Sequence, residues 1–416
     1  MGALLIVATL AAQVGTTGTS TPSPSTDATA PQTHAGQTTY ADFEVGAGYS
    51  TNPNMTVLND EGAGFGRISV HAVHSRVSAL ATTLISAYAE NASYTNHHGS
   101  NQSASLFGRH DVSVSEHTRL FVDGSATYQE NGQLDTRVLA IPVVPPATPG
   151  GPVTPPILLP SNSDFLSIRG HQSSFTGHAG GSFELSPRDS FSLSSGAEHV
   201  VFHSGPFRTI YTTIPVSIAY DRQLSERTTV GARVTGAHTD YNGPASSRVI
   251  TPQFTARTRL APNLSFDGAL GVSFARFDDG LIVRNSTGLS AQANLCGQGE
   301  TSVFCAHAGV DEQTATTAGP TRSISGGIDY STRLDANQSI QFSLGVTHYS
   351  MPTSIIPGQS FSGSTYYHVA SAYSRRLGSR FFGGVNLAAR KLTQNGPDPK
   401  TDLNVSLFVR YRLGDI

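Results

Sequence analysis

Residues 403–413, near the end of the chain, read LNVSLFVRYRL, so apolar and polar side chains alternate along them. Successive side chains of a β-strand point to opposite faces, and the segment therefore predicts a strand with one apolar and one polar face. The same alternation recurs along nearly the whole chain, about sixteen times, with no helical pattern between. A repeat of this length predicts an antiparallel barrel that is closed and whose outer face contacts lipid.

The connections between the predicted strands alternate in length. Those after even-numbered strands are short polar turns, whereas those after odd-numbered strands are longer and include two large insertions, residues 131–170 and 278–320. The first insertion has a dense proline cluster between Pro142 and Pro160, and proline cannot donate to a sheet ladder. Short periplasmic turns and long outer loops are typical of bacterial outer-membrane barrels. The sequence thus predicts an all-β, transmembrane, up-and-down barrel of about 16 strands in the cell outer membrane.

Composition agrees with this class. Charged residues make up 13% of the chain, about half of the roughly 25% that is usual for globular proteins. The net charge of −3 gives no basic surface for nucleic acid, so no nucleic-acid partner is predicted. Tyr and Phe near the ends of many apolar rows predict an aromatic girdle at the membrane interface.

The beginning of the chain has a different composition. Residues 4–12 form an apolar run far shorter than the ~20 residues of a membrane helix. We interpret residues 1–12 as a segment resembling a secretory signal, the alternative being an apolar terminus without that role. Residues 13–38 are rich in Ser, Thr and Pro and predict a flexible leader. The barrel is then predicted over residues 39–416.

Charged residues in the predicted strands lie almost entirely on the polar face of each strand. An Arg facing lipid at mid-depth would cost about 2–4 kcal/mol, so this distribution predicts that the polar face points to the lumen. One interpretation is a charged pore lining that sets selectivity; the other is a plugged lumen filled by paired charges. A ring of this size encloses an aqueous channel, which favours the pore. The predicted pore-lining residues are Asp42, Glu44, Arg67, Arg109, Asp111, Arg119, Asp123, Arg233, Arg257, Arg259, Asp267, Arg410 and Arg412.

Two finer arrangements remain open from the sequence. Arg233, Arg257 and Arg259 are predicted on neighbouring strands and could form a basic ladder, but the alternation does not fix the register. Residues 131–170 form the third predicted outer loop, the position of the constriction loop in general porins. The proline cluster suits either a semi-rigid lid over the lumen or a loop at the outer surface.

Cys296 and Cys305 lie close together in the second predicted insertion. In an exported protein, such a pair predicts a disulfide that closes a loop and stabilises it by on the order of 2–3 kcal/mol. The alternative is a pair of free thiols.

No enzyme, cofactor or metal site is predicted. The sequence has no Gly-x-Ser-x-Gly elbow. His199 and His348 could each belong to a lipid-facing Ser–His pair, but a histidine near a strand end needs no catalytic role. His71 and His74 are three residues apart on a strand and so face opposite sides, where they cannot bind one metal ion together.

Two segments carry a resemblance to known families. Residues 43–54, FEVGAGYSTNPN, resemble the first strand and loop of the β-barrel porin family associated with exopolysaccharide export. Residues 409–413, VRYRL, look like the closing strand that the barrel-assembly machinery recognises in outer-membrane proteins. The resemblance spans about residues 40–416. It implies as partners outer-membrane lipid, the barrel-assembly machinery and periplasmic polysaccharide-export proteins, and it implies no catalytic residue.

Three functions follow as hypotheses. The first is a channel that passes polar solutes, with export of an exopolysaccharide as its specific form. The second is a plugged structural or adhesive barrel that displays residues 131–170 and 278–320 outside the cell. The third is an enzyme at the membrane interface.

Overall fold

The computed structural model describes residues 36–53, 55, 61–96, 98–130, 170–204, 207–315, 319–350, 363–394 and 400–414. The predicted signal-like segment and most of the predicted leader lie outside these residues. Residues 36–38, which the sequence assigned to the leader, belong to the first strand. None of the described residues forms a helix long and apolar enough to cross a membrane.

The described residues form a single sheet of antiparallel strands that closes on itself. Each strand pairs with its neighbours in the chain, and the first strand also pairs with the last, from Tyr40↔Gly414 to Ser50↔Asn404. The predicted closed barrel is confirmed, with 18 strands instead of about 16. The strands are β1 (Gly36–Ser50), β2 (Ala63–Val77), β3 (Ala81–Tyr94), β4 (Ser100–Ser115), β5 (Thr118–Glu130), β6 (His171–Ser186), β7 (Asp189–Ser204), β8 (Phe207–Ser225), β9 (Thr228–Tyr241), β10 (Ser246–Ala261), β11 (Leu264–Asp278), β12 (Val283–Gln298), β13 (Ser302–Ala315), β14 (Gly319–Asp335), β15 (Gln338–Ser350), β16 (Ser364–Arg376), β17 (Phe381–Gln394) and β18 (Lys400–Gly414).

The two additional strands come from the predicted insertion at residues 278–320, which is therefore wrong as a loop. Residues 283–298 and 302–315 are β12 and β13, joined by a tight connection. Their alternation is weak because the lipid-facing row of β12 mixes Leu289 and Leu295 with alanines and polar residues. Small side chains fit a β-strand, but they make its two faces similar in hydrophobicity, so the alternation is hard to recognise in the sequence.

The connections distinguish the two ends of the barrel. All eight connections after even-numbered strands are tight, and their lengths range from two residues, as at 116–117, to the four residues 377–380. This end is called the turn end, and the opposite end the loop end. The predicted short turns are confirmed. At the loop end, only residues 51–62, 131–170 and 351–363 form long connections. The connection 131–170, for which the sequence left a lid and a surface loop open, lies outside the described residues, apart from Gly170.

The outer face of the barrel is predominantly apolar around the ring, with β12 its most polar part. Along β18, Leu407 is 63% exposed, whereas Asp402 on the opposite face is fully buried. Similar exposed apolar rows occur from β1 to β17, for example Val45 and Phe254. Water-soluble proteins rarely expose contiguous apolar patches beyond a few hundred Å². Such a continuous belt is stable only against hydrocarbon.

Aromatic side chains form rows on the outer face near the turn end. Phe43, Tyr411 and Phe381 lie opposite one another across β1, β18 and β17, and the rings of Phe381 and Tyr411 are 4.9 Å apart. Phe183 and Phe191 form a similar pair on β6 and β7. This is the arrangement of an interfacial girdle, where amphipathic rings lie at the level of the lipid headgroups.

Candidate functional site: the lumen of the barrel

The lumen is the space enclosed by the ring of strands, and ion pairs line its wall where the first and last strands meet. The β1–β18 register sets Asp42 opposite Arg412 and Glu44 opposite Arg410. Arg412 donates two hydrogen bonds of 2.7 Å to Asp42, and Arg410 donates bonds of 2.9 and 3.1 Å to Glu44. Arg67 on β2 also pairs with Glu44. Five predicted pore-lining residues thus form two neighbouring groups of ion pairs, Asp42 with Arg412 and Glu44 with Arg67 and Arg410.

The predicted charges elsewhere on the wall are also paired. Arg109 donates two bonds of 2.8 Å to Asp111, two residues further along β4. Asp123 lies 3.0 Å from His178 Nδ1 on β6, a partner that sequence reasoning missed because it depends on strand register. Arg119, by contrast, lies exposed at the turn end and has no ion pair among the described residues.

The basic ladder, one of the arrangements that the sequence left open, does not form. Arg233 donates to the side-chain oxygen of Gln253 at 2.6 and 3.0 Å. Arg257 pairs with Asp267 at 3.0 Å. Arg259 is exposed near the turn end, one position beyond that pair on the same face. The register places a neutral or acidic partner beside each inner arginine, so the arginines do not stack together.

A buried ion pair at the loop end was missed by the sequence reasoning. Asp402 on β18 is fully buried and accepts a 3.0 Å bond from Nε of Arg390 on β17. It also accepts bonds from Ser50 Oγ at 2.6 Å and from the backbone N–H of Asn52 at 3.0 Å. Both charged residues lie one position outside the strands as predicted, 381–389 and 403–413. Strand ends are where alternation is least informative.

An open polar recess lies in the lumen beside β2–β5 and β16–β18. Its wall combines amide side chains, a pair of aromatic rings and paired charges. The rings of Phe65 and Tyr94 are 5.4 Å apart. The principal polar lining residues are Arg67, Glu90, Asn101, Gln129, Asn386, Arg390, Asn404 and Ser406.

Glycines on the inner wall make room for large neighbouring side chains. A Cβ added at Gly327 would lie only 2.7 Å from Cε1 of His307 on the adjacent strand. His368 lies over Gly345 in the same way, and Phe408 lies over Gly384. These rings therefore lie flat along the wall. They extend less far into the lumen than they would over a residue with a side chain.

The structure joins Cys296 and Cys305 in a disulfide, with their Cα atoms 4.1 Å apart. The two residues lie directly opposite each other on β12 and β13, near the turn end. The predicted disulfide is therefore present, but it connects two paired strands of the wall and not the ends of a long insertion. Both side chains are at lumen-facing positions of their strands, and Cys305 lies opposite Asp329 on β14.

The histidines considered for catalysis lie on the outer face near the loop end. His199 Nδ1 lies 3.0 Å from Thr212 Oγ1, and His348 Nδ1 lies 2.8 Å from Thr365 Oγ1. Each partner is the residue directly opposite on the adjacent strand. Among the described residues, no three His, Cys, Asp or Glu side chains are arranged to hold a metal ion.

Together, the closed antiparallel ring, the lipid-facing apolar belt, the short turns at one end and the polar lumen define a transmembrane β-barrel of the outer-membrane class. The protein is accordingly located in the cell outer membrane, embedded in its lipid, as the sequence predicted.

No family model and no curated protein matches the sequence. Three solved structures illustrate what the fold is similar to. The siderophore receptor PirA of Acinetobacter baumannii is 6% identical with a TM-score of 0.45, over 90% of this chain and 80% of that one. The FrpB iron transporter of Neisseria meningitidis is 8% identical with a TM-score of 0.45, over 90% and 81%. The outer membrane protein opdK of Pseudomonas aeruginosa is 10% identical with a TM-score of 0.44, over 91% and 99%. The barrel assignment rests on the strand pairing described above, independently of these likenesses.

Proposed function

We propose that this protein is an outer-membrane channel for polar solutes. The observation that carries the proposal is the polar recess beside β2–β5 and β16–β18, where amide side chains and paired charges face an open part of the lumen. The glycine-recessed rings support it, because they keep large side chains close to the wall. Since most inward charges are paired, the lining is close to neutral. Such a lining favours hydroxylated, weakly charged solutes over strong selection of one ion.

The finer form of the proposal is export of an exopolysaccharide. Asn101, Asn386 and Asn404 line the recess, and an amide both donates and accepts hydrogen bonds, as sugar hydroxyl groups require. The Phe65 and Tyr94 rings add an apolar surface for the carbon faces of a sugar. The resemblance of residues 43–54 to porins of export systems supports the same role. The partners of this function would be the barrel-assembly machinery and periplasmic polysaccharide-export proteins. We propose no catalytic activity.

Planar-bilayer recording with the purified, folded barrel tests the channel. We expect stable stepwise conductance, and transient blockade when neutral oligosaccharides are added. Replacing Asn386 and Asn404 together with Leu should shorten the blockades while leaving the open conductance measurable. Asn285→Leu, on the lipid-facing side of β12, is the matched control and should behave like the native protein. A folded barrel that never conducts would refute the channel.

One observation favours the second candidate, a plugged barrel that displays loops. Met55, from the connection after β1, is 4% exposed and packs with Tyr366 and Leu392 on the inner wall. The Met55 side chain therefore lies inside the barrel, against the lumen-facing side of β16 and β17. A silent barrel whose loop end remains accessible to protease on intact cells would support display.

A further inference from the structure

The wall is incomplete between β12 and β13. Their ladder runs from Gln298↔Val303, beside the tight turn, only as far as Ala291↔Val310. Beyond this point β12 continues to pair with β11, and β13 with β14, toward the loop end. Backbone groups left unpaired in lipid cost several kcal/mol each. The loop-end halves of β12 and β13 must therefore be arranged differently from the rest of the barrel.

The loop-end parts of β13 and β14, residues 311–315 and 319–323, are called the inner tip. β14 approaches β10 and β11, although β12 and β13 separate it from β11 around the ring. Adjacent strands are about 4.8 Å apart, so this approach requires the inner tip to lean across β12 into the lumen. Burial agrees: Ser273 and Ser290 on the wall are fully buried, and Thr321 on the tip is 3% exposed.

A row of polar side chains connects the wall to the inner tip. Arg233 on β9 bonds Gln253 on β10, whose Nε2 donates to Ser290 Oγ on β12 at 2.8 Å. Ser290 Oγ lies 3.4 Å from Oδ1 of Asp311 on the tip. On β11 this row has Gly271, where an added Cβ would lie 2.8 Å from Cγ of Gln253. The glycine lets Gln253 cross β11, and the row holds the tip in place.

We propose that the inner tip forms the constriction of the channel, and that Arg233 and Asp311 set its charge selectivity. This inference rests on the proposed channel function. The two residues place one positive and one negative charge at the ends of the row. The other charges on the tip, Glu312 and Arg322, lie opposite each other in register and balance. Removing either end of the row therefore leaves one unbalanced charge at the narrowest part of the lumen.

Reversal potentials across a KCl gradient test this assignment. Asp311→Asn should shift the permeability ratio toward anions, and Arg233→Gln should shift it toward cations. A charge about 8 Å from the ion path in water changes that ratio by about twofold. Glu184→Gln is the matched control, since Glu184 lies on the inner wall of β6 near the turn end, away from this row, and pairs with His117. Salt screens a charge at a wide mouth, so the control should change the ratio little.

A second measurement adds a blocking group at Asp311 after the barrel has folded and inserted, so the result does not depend on ion selectivity. The chain has two cysteines and both are in the disulfide, so Asp311→Cys introduces the one free thiol. Modification with a bulky cationic methanethiosulfonate after insertion should remove most of the single-channel conductance. Ser194→Cys, on the inner wall of β7, should lose much less. If the native barrel conducts but the paired variants do not differ in these two measurements, the constriction assignment is overturned and the channel stands. If the native barrel is silent, both are overturned.

Discussion

Two junctions of the barrel wall differ in how they are held. The β18–β1 junction joins the two ends of the described chain, and its ladder is continuous from Tyr40 to Ser50. The β12–β13 junction joins two strands of a hairpin, yet its ladder stops at Ala291. The junction between the most distant strands is thus the more completely paired. Its contacts cannot form until the whole ring is assembled, because the loop closed between them spans nearly the entire chain.

The side chains explain this difference. Arg410, Arg412 and the buried Arg390–Asp402 pair reinforce the β18–β1 junction and its neighbourhood with short ionic hydrogen bonds. At the β12–β13 junction, the disulfide holds the paired half. In the part of the chain that the structure describes, Ser286 and Ser290 make contacts of 3.3–3.4 Å across the other half. Ionic hydrogen bonds therefore stabilise the β18–β1 junction. At the β12–β13 junction, the loop-end half is held weakly enough to lean into the lumen.

Asp402→Ala should have the largest effect on stability. It leaves Arg390 buried without its carboxylate, and breaking a buried ion pair costs about 3–5 kcal/mol. The free energy of unfolding in urea, measured for the barrel in detergent micelles, checks this value. Asp240→Ala is the matched control, because the Asp240 side chain is 64% exposed and pairs only with His238 in the described residues. Equal losses for both variants would contradict the special role of the β17–β18–β1 region.

Removing the disulfide should have the next largest effect. Replacing Cys296 and Cys305 together with Ser releases the crosslink of a short loop, which predicts a loss of about 2–3 kcal/mol. The same measurement on the native barrel, with and without reductant, should reproduce the difference. No change in either experiment would show that backbone pairing alone holds this half of the junction.

Gly345→Ala should cost about 1–3 kcal/mol, because the added methyl group displaces the His368 ring from the wall. The displaced ring should also lower the single-channel conductance. Gly66→Ala is the control, since an added Cβ there meets no atom within 4 Å. If Gly345→Ala conducts as the native barrel does, the ring already occupies the lumen.

Glu312→Gln should have the smallest effect, below about 1 kcal/mol. It weakens long contacts to Ser286 and the attraction to Arg322 on the opposite strand, and it leaves a side chain of the same size. Urea unfolding of Glu312→Gln beside Asp402→Ala compares the two junctions directly. A loss as large as that of Asp402→Ala would mean that the β12–β13 junction depends on its charges as strongly as the β18–β1 junction.

The sequence predicted those strands whose lipid-facing rows carry large apolar side chains. β5 was predicted at residues 119–129 and is found at Thr118–Glu130. β12 and β13 were missed because their rows contain many small or polar residues. Most contacts between lumen residues also escaped prediction, as for Asp123 with His178. Alternation shows which face a residue occupies, but a pairing partner is known only once the register is fixed.

The glycines beneath the inner-wall rings have a further consequence. In a barrel, strand number determines the overall diameter, which changes only when a hairpin is gained or lost. The recesses at Gly327, Gly345 and Gly384 provide a second, finer adjustment. One methyl group at any of them would tilt a neighbouring ring and narrow the bore locally, while the ring of strands keeps its circumference.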